Sequence, residues 1–316
     1  MQESNGPRPL HFAMLVLLTS LVQARTCRAA DAQPALRRPV SMVLADDRWL
    51  LAANRRSGSI SVIDAAERRI ADEVSIGRQL SDLVALPDGV HLLCADEAAH
   101  ELIVLSRMAS SLAVVDRLAV SPYPVSIEVL PDGRSCCIAS LWSRKLTLVD
   151  LSGLPTGKAA IGRTLAMPFA PREQLAVRGG AKLIVADSFG GRLAVIDMER
   201  FEIDALREFP AHNVRGLALD QSGEKLLVSH QINNSLAQTT ENDVHWGILL
   251  INVLRWLRLD NVLSPSAEIL ADSHVQPAGD STGAGGDPAA LAITADGTVL
   301  QGLSGVGQMS FGKEKD

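Results

Sequence analysis

The chain has few aromatic residues, few cysteines and few long hydrophobic runs. Aromatic residues make up 3% of its 316 residues, and Tyr123 is the single tyrosine. Because nucleic-acid bases and sugars bind largely by stacking on aromatic rings, neither is an expected partner. The formal net charge of -6 also argues against nucleic acid, whose phosphates bind basic surfaces. The hydrophobic content of 47% is still ample for a folded core.

The four cysteines form neither a C-x-x-C nor a C-x-x-C-H motif. A zinc ribbon, a thioredoxin-like site and a covalently attached c-type haem are therefore not expected, and the sequence predicts no cofactor. Cys136 and Cys137 are neighbours, and a disulfide between neighbours requires strained geometry. We interpret these two residues and Cys94 as small apolar strand residues.

One hydrophobic run, residues 12–22, lies near the N-terminus. Arg8 precedes the run, and small residues at positions 29–30 suit a cleavage site, which is the pattern of a secretory signal peptide. An uncleaved N-terminal anchor is the alternative. No later run is long enough to cross a membrane. We predict a signal peptide over residues 1–30, a linker over 31–39, and export to the periplasm, the cell surface or beyond.

A turn signal recurs through the rest of the chain, each time between two apolar runs. An Asp-Gly or Gly-Gly pair between two alternating segments predicts a β-hairpin. The last residues of six such signals are Asp47, Gly89, Gly133, Gly180, Gly223 and Gly297. Their spacings are 42, 44, 47, 43 and 74 residues. A period of this size indicates a repeat architecture.

Two further features follow the turn signals at fixed distances. Seven residues after the signals stand Asn54, Asp96, Ser140, Asp187, His230 and Ser304, which are polar or small. A third apolar run then occupies residues 60–64, 102–106, 146–150 and 193–197, and a fourth leads into the next unit. Four antiparallel strands in about 43 residues form one blade of a β-propeller. The sequence therefore predicts an all-β propeller over residues 40–316, with about six blades visible and the last incomplete.

Blade five differs from the others by two insertions, residues 231–246 and 259–287. We interpret the second insertion as the connector to blade six and place both on the same face. Blade six stops after about two strands, which predicts an unpaired and aggregation-prone edge near residues 298–311. Three interpretations stay open: a truncated protein, which we favour, a compact ring of six irregular blades, or a subunit completed by a partner.

The repeats resemble a known family. Ala53-Asn54, followed by Ile-Ser-Val-Ile-Asp at residues 60–64, is similar to the consensus of YVTN-type propeller repeats, which are common in exported bacterial surface and redox proteins. A second likeness, to the propeller portion of bacterial di-haem cytochrome c peroxidase-like proteins, lies in residues 212–219, 227–231, 239–246 and 252–255. The resemblance implies a ring that typically has seven blades. It also implies an association with haem proteins. Peroxidase activity does not carry over, because the chain contains no C-x-x-C-H motif.

Propellers usually bind where the loops between the second and third strands meet the central channel, and ionisable residues collect in blade five. The predicted ligand-binding face consists of Asn54, Asp96, Trp142, Asp187, His212, Arg215, His230, Asp243, His245 and Trp246. The histidines either bond to loop backbone, contact a ligand or bind a metal, and their separations match no short ligand motif. Trp142 is either an exposed binding ledge or a tryptophan packed between blades.

Two classes of function follow from this sequence. The leading hypothesis is an exported, non-catalytic binding or scaffold module, with a protein partner or small ligand on the blade-five face. A haem or redox protein partner is implied by the resemblance alone. The alternative is a propeller enzyme, either a lactonase-like hydrolase or the remnant of a peroxidase-like oxidoreductase without its haem domain. A surface or adhesion protein is a third hypothesis. We assign no catalytic residue and no metal ligand, and expect no membrane span after signal cleavage.

Overall fold

A computed structural model of the chain describes residues 36–154, 158–245, 249–278, 286–304 and 307–314. Six antiparallel sheets follow one another along these residues, and each sheet pairs its strands in consecutive order. No helix in the described part of the chain is long and apolar enough to span a membrane. The predicted signal peptide over residues 1–30 and the predicted site residue Trp246 lie outside the described residues.

The sheets are the blades of a propeller, and their strand bounds are as follows. Blade one consists of β1 (Pro39–Ala45), β2 (Trp49–Asn54), β3 (Ser59–Asp64) and β4 (Arg69–Ser75). Blade two consists of β5 (Leu80–Ala85), β6 (His91–Asp96), β7 (Glu101–Met108) and β8 (Ser111–Ala119). Blade three consists of β9 (Pro124–Val129), β10 (Ser135–Ser140), β11 (Lys145–Asp150) and β12 (Ala160–Ala166).

Blade four consists of β13 (Pro171–Val177), β14 (Lys182–Asp187), β15 (Arg192–Asp197) and β16 (Glu202–Glu208), with a 3-10 helix at Arg178–Gly180. Blade five consists of β17 (His212–Leu219), β18 (Lys225–Asn233), β19 (Leu250–Arg258) and β20 (His274–Pro277), with helices α1 (Glu241–His245) and α2 (Leu259–Leu263). Blade six consists of β21 (Pro288–Ile293), β22 (Val299–Leu303) and β23 (Gln308–Gly312).

The prediction of an all-β propeller with four-stranded antiparallel blades is confirmed. The third apolar runs predicted for the first four blades are β3, β7, β11 and β15. Blade six has three described strands rather than the two that we expected, because Gln308–Gly312 pairs with β22 along its whole length. The described residues contain six blades, and a seventh is not among them.

The first hairpin of each blade turns where the sequence placed its signal. Asp47 has a φ of 52° and Gly223 a φ of 69°, both in the left-handed region that aspartate and glycine tolerate. Gly180 has a φ of 89°, and a Cβ atom there would lie 2.8 Å from Cδ of Pro131 in the preceding blade. The blade-four turn therefore requires glycine both for its conformation and for its contact with blade three.

Each blade from two to five is buried by the blades on either side of it. In β6, Leu92 and Cys94 pack against blade one, whereas Leu93 and Ala95 pack against blade three. All four side chains are at most 2% exposed. A strand that is covered on both faces needs apolar residues at every position, which explains why the second and third strands are continuous apolar runs.

Five buried clusters join the six blades in chain order. They lie between blades one and two, two and three, three and four, four and five, and five and six. Among the described residues, no such cluster joins blade six to blade one. Met42 and Leu44 of β1 are 63% and 55% exposed, and Phe311 of β23 is 79% exposed.

The adjacent cysteines point to opposite faces of blade three. Cys136 packs with the cluster shared with blade two, and Cys137 packs with the cluster shared with blade four. Both are free and fully buried, and burial raises the pKa of the Cys136 thiol to about 12. Since a reactive cysteine requires an accessible thiolate, the interpretation of these residues as apolar strand residues is confirmed.

The prediction for the second insertion of blade five is wrong for the part that precedes β20. Lys225 pairs with Arg258 at one end of the β18–β19 ladder, and Asn233 pairs with Leu250 at the other. Helix α2 follows Arg258 directly, so it lies at the opposite end of the blade from the loop that holds α1. The segment also contains β20, the fourth strand of blade five, and is not a simple connector. With four residues, β20 is too short to show an alternating pattern in the sequence.

The exposed apolar residues of β23 predict self-association of the purified chain. Replacing both Met309 and Phe311 with serine removes apolar surface that is 63% and 79% exposed, without opening a cavity. We expect less dimer and aggregate in light scattering coupled to size-exclusion chromatography, with an unchanged melting temperature. The matched control is Met108→Ser, which removes an 82% exposed methionine from blade two. An equal effect of both changes would contradict a specific role for β23.

Candidate functional site

The turns between second and third strands lie at the same end of the blades as the connections between blades. In blade two, the N–H of Glu97 donates to the carbonyl of Gln79 at 2.9 Å, which ties the turn to the connection that precedes the blade. The N–H of Leu141 bonds in the same way to Tyr123 at 2.9 Å in blade three. We call the surface formed by these turns and connections the loop face.

A polar residue at or near the end of the second strand is buried beneath the loop face in blades one to five. We call Asn54, Asp96, Ser140, Asp187 and His230 the polar column. Each of these side chains is at most 2% exposed. Burying a polar group is costly unless it is hydrogen-bonded, so the partners of the column decide its role.

Asp96 is the most heavily bonded member of the polar column. Its carboxylate accepts hydrogen bonds from the backbone N–H groups of Arg78 at 2.6 Å, Gln79 at 3.1 Å, Ala98 at 3.1 Å and Ala99 at 3.0 Å. Arg78 and Gln79 belong to the connection that leads from blade one into blade two. The other two donors, Ala98 and Ala99, belong to the turn between the second and third strands of blade two. One buried carboxylate therefore fixes both parts of the loop face.

The other members bond within their own blades. The carboxylate of Asp187 accepts hydrogen bonds from Nη2 of Arg192 at 2.6 Å and from the N–H of Phe189 at 3.1 Å. Asn54 donates to Oγ of Ser61 at 2.8 Å, and the Ser140 hydroxyl donates to a carbonyl of the preceding connection at 2.8 Å. The structure places these predicted site residues at one level in successive blades, and their contact with a ligand stays a prediction.

His230 is a neutral, buried histidine. Its Nδ1 donates to the carbonyl of Gln231 at 3.0 Å, because that carbonyl can only accept, and its Nε2 accepts from Nε of Arg255 at 3.2 Å. Burial is the main cause that lowers the pKa of His230 to about 4, and the positive charge of Arg255 acts in the same direction. The imidazole is thus unprotonated at neutral pH.

Among the predicted blade-five residues whose side chains the structure describes, His212, Arg215 and Asp243 form their hydrogen bonds with residues other than His230. His212 is exposed, and its Nε2 accepts from Nδ2 of Asn233 at 2.9 Å. Arg215 donates to Asn213 at 2.5 Å, and Asp243 accepts from the N–H of residue 238 at 2.6 Å within the inserted loop. His245 lies at the end of α1. The described residues contain no group of three or more histidine, cysteine, aspartate or glutamate residues placed to hold a metal ion.

Exposed aromatic side chains stand on the loop face of blades three and four. The rings of Trp142 and Phe189 stack with centroids 5.5 Å apart and an interplanar angle of 30°. They are 59% and 52% exposed, and Tyr123 beside them is 42% exposed and touches His100 edge-on at 4.8 Å. We call Tyr123, Trp142 and Phe189 the aromatic ledge. The ledge adjoins blade five, because the N–H of Asn213 donates to the carbonyl of Phe189 at 3.5 Å.

Sequence reasoning found Trp142 but missed Phe189. Both residues stand two positions after a member of the polar column, in the same place in successive turns. Aligning the turns by that column would have revealed the pair. Tyr123 carries no such signal, since it belongs to a connection of variable sequence.

Carboxyl groups line the inner strands, which are the first strands of the blades. Asp82 accepts from the N–H of Ile127 at 2.8 Å, and Glu128 accepts from the N–H of Ala176 at 2.7 Å, so each carboxyl reaches the inner strand of the next blade. Burial raises the pKa of Asp82 and raises that of Glu128 to about 7.

Glu173 is the third carboxyl on the inner strands, and it lies beside two arginines. Burial raises the pKa of Glu173 to about 7, although the positive charges of Arg172 and Arg215 act in the opposite direction. Arg172 donates from Nε to Oγ of Ser188 at 3.2 Å, and burial lowers its pKa. Three carboxyls on three adjacent blades thus share an environment that favours their neutral form.

Comparison with known proteins identifies solved structures of the same fold but no protein family. No protein-family model and no curated protein sequence matches the chain. The solved structures that it resembles are β-propellers. Hydrazine synthase of Kuenenia stuttgartiensis superposes with a TM-score of 0.74 at 17% identity, covering 90% of this chain and 79% of that one.

Two further solved structures resemble the chain. A proposed 6-phosphogluconolactonase of Bacteroides fragilis has a TM-score of 0.64 at 11% identity, covering 88% of this chain and 80% of that one. Dihydro-heme d1 dehydrogenase NirN, in complex with DHE, has a TM-score of 0.56 at 15% identity, covering 83% of this chain and 52% of that one. Identities this low show a shared fold and nothing about activity.

The raised pKa of Glu173 predicts a pH-dependent loss of stability. The folded chain keeps Glu173 protonated up to about pH 7, whereas the unfolded chain ionises it above about pH 4.5. The Glu173 carboxyl therefore does not reduce the free energy of unfolding below pH 4.5, and it reduces it progressively as the pH rises to 7. Glu173→Gln should match the wild type at pH 4.5 and exceed its free energy of unfolding at pH 8 by about 1–3 kcal/mol.

The measurement for Glu173 is urea unfolding at several pH values between 4.5 and 8. Glu202→Gln is the matched control, since that glutamate is exposed on β16. If the free energies of unfolding of the wild type and Glu173→Gln changed with pH in parallel, the carboxyl would be ionised in the folded chain.

Proposed function

We propose that this chain is an exported binding module whose partner docks on the aromatic ledge of the loop face. The observation that carries the proposal is the exposure of Trp142 and Phe189, stacked at 5.5 Å, in a chain with 3% aromatic residues. Exposed tryptophan and tyrosine on a rigid scaffold are typical of binding hot spots. The predicted signal peptide over residues 1–30 supports export.

The ledge is rigid because the blades beneath it are fully packed. Leu141, next to Trp142, is buried at 4% exposure, and Ser188, next to Phe189, is at 0%. The N–H of Ser188 also donates to the carbonyl of Ala170 at 2.9 Å, which fixes the turn. Little conformational entropy is lost when a partner binds such a preorganised surface.

We further propose that the partner is a redox protein that presents an exposed haem edge. A haem edge combines an apolar ring with two negatively charged propionates. The ledge offers the rings of Trp142 and Phe189, and Arg215 of blade five lies next to Asn213, which contacts the ledge. The likeness to YVTN-type propellers and to NirN, whose solved structure is a complex with DHE, supports a haem-containing partner.

Truncating the ledge should weaken partner binding without unfolding the chain. With a soluble c-type cytochrome as the probe, we expect Trp142→Ala to raise Kd by about tenfold or more, since a hot-spot aromatic contributes at least about 1–2 kcal/mol. Isothermal titration calorimetry gives the Kd, and circular dichroism confirms the fold. Met108→Ala is the matched control, because Met108 is 82% exposed at the other end of blade two. Equal binding by wild type and Trp142→Ala would disprove docking on the ledge.

A propeller hydrolase is the alternative function. The specific observation in its favour is the pKa of about 7 for Glu128 and Glu173, which suits a carboxyl that transfers a proton near neutral pH. The likeness to a proposed 6-phosphogluconolactonase points to the same class. Under this alternative the chain hydrolyses a sugar lactone in a pH-stat assay, and Glu173→Gln lowers kcat by at least about a hundredfold. Unchanged turnover in Glu173→Gln would reject this assignment.

A further inference from the structure

A cavity of about 300 Å³ opens on the loop face at blades one and two, away from the aromatic ledge. It is lined by Arg38, Arg55, Arg56, Arg78 and Gln79. Four arginines and no acidic residue are thus among the described residues that line this small cavity, in a chain whose net charge is -6. We call it the arginine cavity.

Backbone hydrogen bonds bring three separate segments to the arginine cavity. The N–H of Arg55 donates to the carbonyl of Arg38 at 2.9 Å, so the segment before β1 lies beside the turn after β2. The N–H of Gly77 donates to the carbonyl of Gly58 at 2.9 Å, and the N–H of Arg78 donates to Asp96 at 2.6 Å. The arginines are thus held together by the backbone and by the polar column, independently of their own side chains.

Three of the four guanidinium groups have no negative partner among the residues that the structure describes. Arg55 forms an ion pair with Glu97, and both side chains are largely buried. Arg38, Arg56 and Arg78 make no side-chain hydrogen bond or ion pair with any described residue. Like charges held together repel one another, and a bound anion converts that repulsion into attraction.

The number and origin of the free arginines indicate the anion. A phosphate monoester carries close to two negative charges and three terminal oxygens, which point in three directions. Arg38, Arg56 and Arg78 come from three segments, and each guanidinium can donate to a different oxygen. A carboxylate has two oxygens in one plane and would leave one arginine without a partner.

A second cavity of about 510 Å³ continues from the first and shares Arg78 with it. Its lining includes Glu101 and Arg117, whose side chains bond to each other at 2.9 Å. Such polar groups suit the hydroxyl groups of a small molecule. We propose that the arginine cavity binds the phosphoryl group of a small phosphorylated ligand, with the polar remainder of that ligand in the adjoining cavity.

The test uses glycerol 3-phosphate as the probe, in calorimetric titrations at constant ionic strength. We expect one site per chain, and Arg56→Gln and Arg78→Gln should each weaken binding about tenfold, as expected for the loss of one charge-assisted hydrogen bond. Both side chains are exposed and contact no described residue through a hydrogen bond or ion pair, so the variants should keep the wild-type melting temperature. Arg134→Gln is the matched control, because it removes an exposed arginine from a turn of blade three at the other end of the sheets.

Three results would overturn the proposal. The first is no binding by the wild type, and the second is equal weakening by Arg134→Gln. The third is binding of succinate as tight as that of glycerol 3-phosphate, which would show that two charges suffice without a phosphoryl group. Trp142→Ala should leave phosphate binding unchanged, so the arginine cavity and the aromatic ledge can fail independently.

Discussion

Burial of each sheet by its neighbours is the interaction on which the rest of this structure depends. A four-stranded sheet with apolar residues on both faces is not stable alone in water, because each face must be covered. Here β6 sends Leu92 and Cys94 to blade one and Leu93 and Ala95 to blade three. The two faces of one strand thereby join three blades, and repetition of this pattern generates the propeller.

The packing of the blades also determines which residues are not needed for the fold and can take part in binding. Inside the blades, the polar column is used to hold the turns, as the four backbone donors of Asp96 illustrate. The side chains two positions after the column, those of Arg56, Trp142 and Phe189, are exposed and take no part in holding the turns. The proposed docking ledge and the proposed phosphate site therefore occupy equivalent turns of different blades.

The sequence was sufficient to predict the blades because the turn signals and the third strands repeat at a nearly constant spacing. It was insufficient for β20, because the four residues His274–Pro277 form too short a run to identify a strand. Phe189 was missed because its turn was not aligned with that of Trp142. The arginine cavity was missed for a different reason: Arg38, Arg56 and Arg78 belong to three segments that only the backbone pairing between and within blades brings together.

The described clusters connect the blades as a line and not as a circle. Among the described residues, blades two to five each share a buried cluster with two neighbours, whereas blades one and six each share one with a single neighbour. In a linear array of this kind, fraying starts at the ends and penetrates inward one unit at a time. The arginine cavity spans the junction between blades one and two, so a ligand bound there would strengthen the attachment of a terminal blade to its neighbour.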